Sequence, residues 1–209
     1  MSSAPDDFEI IHHEVCSIHE TWNLVLDLFK EDHDVEVLDQ TGATAWMLIY
    51  NALLDSILLG LTRLVDDDPK TMQLQRIVSS TPVTELQQKL NSQLTRFKEK
   101  AKPLIKHRHG RVAHSNHKVA RGDAMLPPIS FSDFDELLGD LRELMNTVYQ
   151  TREHAYFGYE YTRRIGGGKE VLECLRNGLR LSDVRDAAWE GLRTSEELFD
   201  NLRKYPDVG

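Results

Sequence analysis

The sequence predicts an all-α protein, an antiparallel helical bundle. Two observations carry this prediction. Apolar residues recur at helical spacing through several long segments. No segment alternates apolar and polar residues as a half-buried strand does, and no hairpin dipeptide joins two such segments. The segments indicate four to five long helices over residues 1–162 and a short C-terminal helical appendage over residues 163–209. The chain has 209 residues, 40% of them apolar, which suffices for a packed core.

The first two long helices differ in the width of their apolar surface. The first has one stripe with 4-3-4-3-4 spacing, formed by Ile11, Val15, Ile18, Trp22, Val25 and Phe29. The second, residues 43–65, is apolar on most sides. Because such a helix is usually surrounded by others, we expect residues 43–65 to be central in the bundle.

Two further stripes predict the third and fourth long helices. Thr81 is the expected N-cap of the third, with Pro82 in its first turn. Its stripe is Val83, Leu86, Leu90, Leu94, Phe97, Ala101 and Leu104. Pro103 should kink this helix or begin a new one. Ser132 is the expected cap of the fourth helix, with Asp135 in the capping-box position. The fourth stripe is Phe134, Leu137, Leu138, Leu141, Leu144, Met145 and Val148.

A run of three glycines, Gly166–Gly168, precedes the predicted appendage. Followed by Lys169, it resembles a phosphate-binding loop only weakly. The first glycine of that motif is missing, Glu170 replaces the required Ser or Thr, and no strand precedes it. We therefore interpret the run as a linker, followed by two or three short helices in residues 169–204.

The sequence also predicts a cytoplasmic protein without a membrane segment. Asn51, Asp55 and Arg63 interrupt the most apolar region, and the first ten residues lack the layout of a secretion signal. Cys16 and Cys174 do not have the spacing of a zinc site, and we expect both to be buried, reduced thiols.

Two clusters of residues could form functional sites, one for a metal and one for RNA bases, but both are better explained by ordinary helix structure. A metal-carboxylate bundle would use His and Glu residues of the first helix: Glu9, His12, His13, Glu14, His19 and Glu20. Only Glu9 and His12 have the required spacing, so His12 and His13 are expected on a solvated flank. The stretch HAYFGYEYTRR, residues 154–164, could stack RNA bases. Ordinary helix packing is the favoured interpretation of its rings.

The net charge of −9 conceals one strongly basic segment. Residues 96–121 contain nine Lys or Arg and one acid, Glu99, whereas residues 1–39 contain eleven acids and one base. A general nucleic-acid binder would be basic over a broad face. The local charge instead indicates either one site for an anionic ligand or a basic segment packed against an acidic one.

Four histidines and four cations are concentrated in residues 106–118, KHRHGRVAHSNHK. A metal site is disfavoured because no cysteine supports these histidines and the cations would repel a dication. A solvated helix end would explain the cations but not the histidines. An acid/base site explains both. Histidine transfers protons near neutral pH, and arginine holds phosphate and stabilises transition-state charge.

The string Arg108-His109-Gly110-Arg111-Val112-Ala113-His114 resembles the signature of HEPN proteins, in particular their abortive-infection branch. The segments LTRLVD at residues 61–66 and PPISFS at 127–132 agree, and the resemblance covers roughly residues 8–162. It implies a helical bundle that dimerises and brings two motifs into one cleft. Many such proteins are metal-independent ribonucleases of toxin–antitoxin or phage-defence systems.

The resemblance also implies roles for individual residues. Arg108 matches the family arginine, His114 the family histidine, and His109 the polar position after the arginine. Six residues apart, Arg108 and His114 differ by about 240° on an ideal helix, so they converge only if the helix ends between them or a dimer builds the site. His107, Arg111 and His114 do share a face, which makes Arg111 a rival phosphate ligand.

The predicted substrate-binding residues are Lys106, His107, Arg111 and Asn116. Some relatives carry a modified tyrosine where Asn116 stands, so neutralisation by modification is not expected here.

Two functions from different classes remain open at this point. The first is a homodimeric endoribonuclease that needs no metal and no cofactor, with RNA as substrate and an antitoxin or regulatory protein as a further partner. The second is a non-catalytic helical dimer that acts as an interaction or regulatory module.

Overall fold

The computed structural model describes residues 6–66, 71, 73–82, 84–107, 129–162 and 167–189. These residues are 88% helical and contain no strand, which confirms the predicted fold class. The helices are α1 (Asp7–Phe29), α2 (Asp32–Val65), α3 (Leu74–Ser80), α4 (Glu85–His107), α5 (Phe131–Glu153) and α6 (Gly168–Trp189), with a 3₁₀ turn at Tyr159–Tyr161.

The chain divides into two compact units. The first contains Met1–Trp22 and Leu53–Thr162, and the second contains Asn23–Ala52 and Arg163–Gly209. The predicted division into a bundle over residues 1–162 and an appendage over residues 163–209 stays a prediction.

The first unit is built around the predicted apolar stripes. Ile11, Val15 and Ile18 of α1 are at most 4% exposed, and the α4 and α5 stripes are buried from Leu90 to Leu104 and from Phe134 to Val148. Gly60 of α2 permits a close approach to α1, because a Cβ there would lie 2.8 Å from Ile18 Cγ1. The buried stripes anchor α4 and α5, the helices on either side of the predicted Arg–His motif in the sequence.

The second unit has its own core of Leu28, Val37, Leu38 and Leu172. Gly168 begins α6 in close contact with α1, since a Cβ on it would lie 2.7 Å from Asp27 Cβ. Gly168 is therefore a packing residue at a helix start. The interpretation of the glycine run as a linker does not account for this contact.

The expectation that residues 43–65 form a central helix is confirmed only for their C-terminal half. Ile57 and Leu61 are fully buried, whereas Met47 and Leu48 are 56% and 62% exposed. Gly42, at φ 151° and ψ 67°, interrupts the helical geometry of α2. Its positive φ strongly favours glycine.

In the described part of the chain, α2 is the one helix with the length and apolar composition to cross a membrane. Its most apolar 18-residue window has a mean hydropathy of 1.5, and 39% of it is buried within the protein. A single helix of this kind is weak evidence for a membrane segment, because core helices of soluble proteins have the same properties.

Two predicted helix starts are wrong. Thr81 ends α3, where its backbone N–H donates to the Val78 carbonyl, and α4 begins only at Glu85. Ser130, not Ser132, caps α5. Its hydroxyl accepts a hydrogen bond from the Asp133 N–H, and the Asp133 carboxylate accepts one from the Ser130 N–H.

Three further expectations need correction in whole or in part. Of the two outcomes expected at Pro103, a new helix is excluded, because α4 continues through Pro103 to His107. The described part of the appendage is one helix of 22 residues instead of several short ones, and residues 190–204 lie outside the described residues. Cys16 is half-buried and Cys174 is exposed, so the expectation of two buried thiols is wrong.

Candidate functional site

The predicted catalytic residues Arg108, His109 and His114 lie in residues 108–128, outside the described part of the chain. The same is true of Arg111 and Asn116. The choice between Arg108 and Arg111 as the phosphate ligand, which was argued from helix geometry, therefore stays a prediction.

Two of the predicted substrate-binding residues are described, and both lie in the last turn of α4. Lys106 is exposed and His107 is half-buried. A cation at this position also interacts favourably with the helix C-terminus, where carbonyl oxygens lack intrahelical donors. The α4 stripe remains buried as far as Leu104, so the chain leaves an anchored helix immediately before the motif.

The other end of the motif segment is also anchored. After residues 108–128, the capping box of Ser130 fixes the start of α5. Next to it, Trp22 Nε1 of α1 donates a 2.6 Å hydrogen bond to Asp135 Oδ1, and the Trp22 ring stacks on Phe134 with centroids 5.1 Å apart. The predicted motif is thus bounded in sequence by two helix ends that the core holds.

Part of the basic segment is packed against acids, as one of the two interpretations of its charge expected. Arg96 of α4 forms ion pairs with Glu143 and, at 3.0 Å, with Asp140 of α5. Lys100 lies 3.0 Å from Asp140 and 3.4 Å from Glu136. The hydrogen bond from Arg96, followed by one from Gln93, lowers the pKa of Glu143 below its usual value.

These ion pairs determine which cations of α4 can attract an anionic ligand. The carboxylates of α5 neutralise the middle of α4, so the cations available to an anionic ligand shift toward the exposed end of the helix at Lys106.

A second cluster of ionisable groups joins α1 to the loop after α5. His12 Nδ1 and the Tyr159 hydroxyl share a 2.7 Å hydrogen bond, and the rings of Tyr149 and Phe157 lie 5.7 and 4.7 Å from the His12 ring. The interpretation as a solvated flank is correct for His13, which is exposed, and wrong for His12, which is half-buried.

The ionisable groups of this cluster have the properties of packed core residues, and none has the properties of an activated nucleophile. Burial lowers the pKa of His12 and raises that of Tyr159. Burial, followed by the charge of Glu20, raises the pKa of the Cys16 thiol to about 11. The thiol, 3.8 Å from His12 Nε2, is therefore protonated at neutral pH and poorly nucleophilic.

His19 is the most deeply buried histidine of α1 and was considered in sequence only as a metal ligand. It is 4% exposed, and its Nε2 has no hydrogen-bond partner among the described residues. Burial, followed by the positive charge of Arg142, lowers the pKa of His19 to about 4, and Glu160 opposes this shift. Within the described ranges, no group of three or more His, Cys, Asp or Glu side chains is arranged to hold a metal ion.

The aromatic stretch after α5 divides between packing and exposure. Tyr159 is fully buried and Phe157 half-buried, which confirms packing for these two rings, whereas Tyr156 and Tyr161 are 60% and 80% exposed. Asn146 of α5 holds the loop: its amide donates to the Phe157 carbonyl at 3.0 Å and accepts from the Phe157 N–H at 2.8 Å.

Comparison with known proteins gives one family. The model of the HEPN_AbiU2 family, described as AbiU2, matches residues 7–161. These are nearly the residues over which the sequence resembles abortive-infection HEPN proteins, and they include the whole Arg–His string. No curated protein and no solved structure matches the chain.

Proposed function

We propose that this chain, which belongs to the HEPN_AbiU2 family of HEPN-type abortive-infection proteins, is a metal-independent endoribonuclease. The observation that carries the proposal is the string from Arg108 to His114, which lies inside the matched residues 7–161 and places an arginine and a histidine at the family spacing.

The proposed reaction uses the ribose 2′-hydroxyl of the RNA as nucleophile. The hydroxyl loses its proton, its oxygen bonds to phosphorus, and the 5′-oxygen leaves with a proton, which gives a 2′,3′-cyclic phosphate and a 5′-hydroxyl. His114 is the proposed proton-transfer group, and Arg108 stabilises the additional negative charge on the phosphoryl oxygens. The proposed role of His109 is to orient or polarise the reacting groups. No metal or cofactor takes part in this scheme.

Substrate binding is assigned to the remaining polar residues of the segment. Lys106, His107, Arg111 and Asn116 would contact the RNA backbone around the cleaved bond. The exposed Lys106 at the anchored end of α4 supports this assignment, because a cation there can meet a phosphate without breaking an ion pair with α5.

The proposed assembly is a homodimer in which two motifs share one cleft, as the family resemblance implies. The proposed role is that of a phage-defence or toxin effector in the cytoplasm. An antitoxin or regulatory protein would restrain it. RNA is the proposed substrate, and a membrane is not a proposed partner.

The test is cleavage of a mixed RNA pool in EDTA. The wild-type protein should cleave RNA and leave cyclic-phosphate ends, and His114→Ala should be inactive although folded and of unchanged oligomeric state. His117→Ala is the matched control, because this histidine lies in the same segment and has no proposed role. Cleavage by His114→Ala at the wild-type rate would refute the assignment of His114.

The same assay decides between the two arginines and between the two functions. Loss of cleavage in Arg108→Ala but not in Arg111→Ala would support Arg108 as the transition-state ligand, and the reverse would transfer the role to Arg111. If the folded wild-type protein cleaves nothing and its expression does not slow growth, the non-catalytic interaction module becomes the better account.

A further inference from the structure

The segment of α2 after Gly42 exposes a continuous apolar surface. Met47, Leu48 and Ile49 are 56%, 62% and 40% exposed. Successive residues point about 100° apart on a helix, so three of them cover more than half of its circumference. Single exposed apolar side chains are ordinary on protein surfaces, but contiguous ones mark sites of interaction.

Beside this surface lies a groove of about 260 Å³ that the interruption of α2 creates. Leu38 from the segment before Gly42 lines it, together with Trp46, Met47 and Tyr50 from the segment after it. The φ of 151° at Gly42 lets the two segments of α2 face one concavity. Small-molecule sites typically enclose about 300–1,000 Å³, so this groove is better suited to one anchoring side chain.

The rim of the groove is acidic. Asp39 lines it, and Asp32 and Glu36, on the same segment of α2, are exposed. Residues 23–52 contain six acids and one base, Lys30. This charge attracts a basic partner and repels the anionic lipids of a membrane surface. In a symmetric pair of two copies, the same acidic rim would face itself, so self-pairing through this surface lacks the complementarity.

We propose that this groove binds an amphipathic helix of a partner protein, with an apolar side chain inserted between Leu38 and Trp46 and with Lys or Arg residues facing Glu36 and Asp39. An apolar helix face in a hydrophobic groove is a common mode of peptide recognition, and a methionine such as Met47 adapts to the inserted side chain. This binding does not depend on ribonuclease activity.

The test uses two synthetic amphipathic peptides of about 15 residues, long enough to form a helix. Both carry Leu at helical spacing. One has Lys and the other Glu at the remaining positions, and binding of the labelled peptides is followed by fluorescence anisotropy. The Lys peptide should bind the wild-type protein saturably, more weakly at high salt, and at least tenfold more weakly to Met47→Ser and to Asp39→Asn.

Leu181→Ser is the matched control, because Leu181 is an equally apolar side chain, 71% exposed on α6. This variant should bind the Lys peptide as the wild type does. Both Met47 and Leu181 are on the surface, so neither substitution removes core packing, and circular dichroism checks that the helical content is unchanged.

Equal binding of the Glu peptide, unchanged binding by Met47→Ser, or no binding by the wild type would each overturn the proposal. A wild-type dimer in sedimentation velocity that Met47→Ser converts to a monomer would identify a second copy as the occupant instead. Flotation of the wild type with phosphatidylcholine vesicles, lost in Met47→Ser, would identify lipid.

Discussion

The buried His19 predicts an acid-induced loss of stability that one substitution should remove. Its pKa in the folded protein is lowered from 6.5 to about 4, chiefly by burial and then by the charge of Arg142. The folded protein therefore keeps the His19 imidazole neutral, whereas in the unfolded chain the same imidazole takes up a proton once the pH falls below 6.5. Protonation of the unfolded state favours unfolding, so stability present at neutral pH is lost as the pH falls from 6.5 toward 4.

The magnitude follows from the difference between the two pKa values. One pKa unit corresponds to about 1.4 kcal/mol, so the total loss below pH 4 approaches roughly 3 kcal/mol. Between about pH 7.5 and about pH 4.5 the same two pKa values give a loss of roughly 2–3 kcal/mol. Since a domain is stable by only about 5–15 kcal/mol, this loss is a substantial fraction of the total stability.

The assay is urea unfolding at these two pH values, with wild type compared with His19→Phe. Carboxylates also titrate over this range, but their contribution is common to both proteins and cancels in the difference. The wild type should lose roughly 2–3 kcal/mol more than His19→Phe. His13→Gln is the control, because His13 is exposed on the same helix and should behave as the wild type does. Equal losses in wild type and His19→Phe would refute the argument.

Three other contacts, one of packing, one ion pair and one hydrogen bond, are tested by substitution and urea unfolding. Gly168→Ala should cost about 1–3 kcal/mol because its Cβ would overlap α1, whereas Gly178→Ala, with nothing within 4 Å, should gain roughly 0.5–1 kcal/mol of helix propensity. Arg176→Ala should cost up to about 3–5 kcal/mol, because it removes the buried cation that pairs with Asp34 and leaves that buried carboxylate only the exposed His33, 3.2 Å away; adding Asp34→Leu should recover most of the loss. Tyr159→Phe should cost about 1 kcal/mol by removing the hydrogen bond to the ring of His12, and an unchanged stability would contradict that role.

Helix positions could be predicted because the core stripes are visible in sequence, but helix starts could not. Ser130 and Ser132 each precede an aspartate by three residues, so the sequence offers two capping boxes in adjacent registers. The structure uses Ser130 with Asp133, and Asp135 instead accepts the indole N–H of Trp22. The partner of Asp135 lies 113 positions earlier in the chain, so local sequence could not reveal which of the two caps is used.

The exposed half of α2 shows a different limit of sequence patterns. Residues 43–65 have a nearly uniform apolar composition, and composition does not distinguish a helix covered by its own chain from one that needs another partner. The structure separates them: Ile57 and Leu61 are buried, and Met47 and Leu48 are exposed. The single glycine that turns the helix, Gly42, gave no sequence signal because isolated glycines also occur inside helices.

The distribution of charge along α4 also bears on the candidate site. Counted in sequence, residues 96–121 contain nine Lys or Arg and one acid, which indicated either one site for an anionic ligand or a basic segment packed against an acidic one. In the fold, the cations at Arg96 and Lys100 are committed to α5 carboxylates, and the ion pairs help to hold the helix that leads into the motif. The positive charge beyond Lys106 is separate from those pairs in sequence. If the proposed site is correct, cations committed to α5 are followed along the chain by cations that bind the RNA, and the attraction is concentrated near the proposed motif. Such an arrangement favours capture of one phosphate over binding along a continuous basic surface.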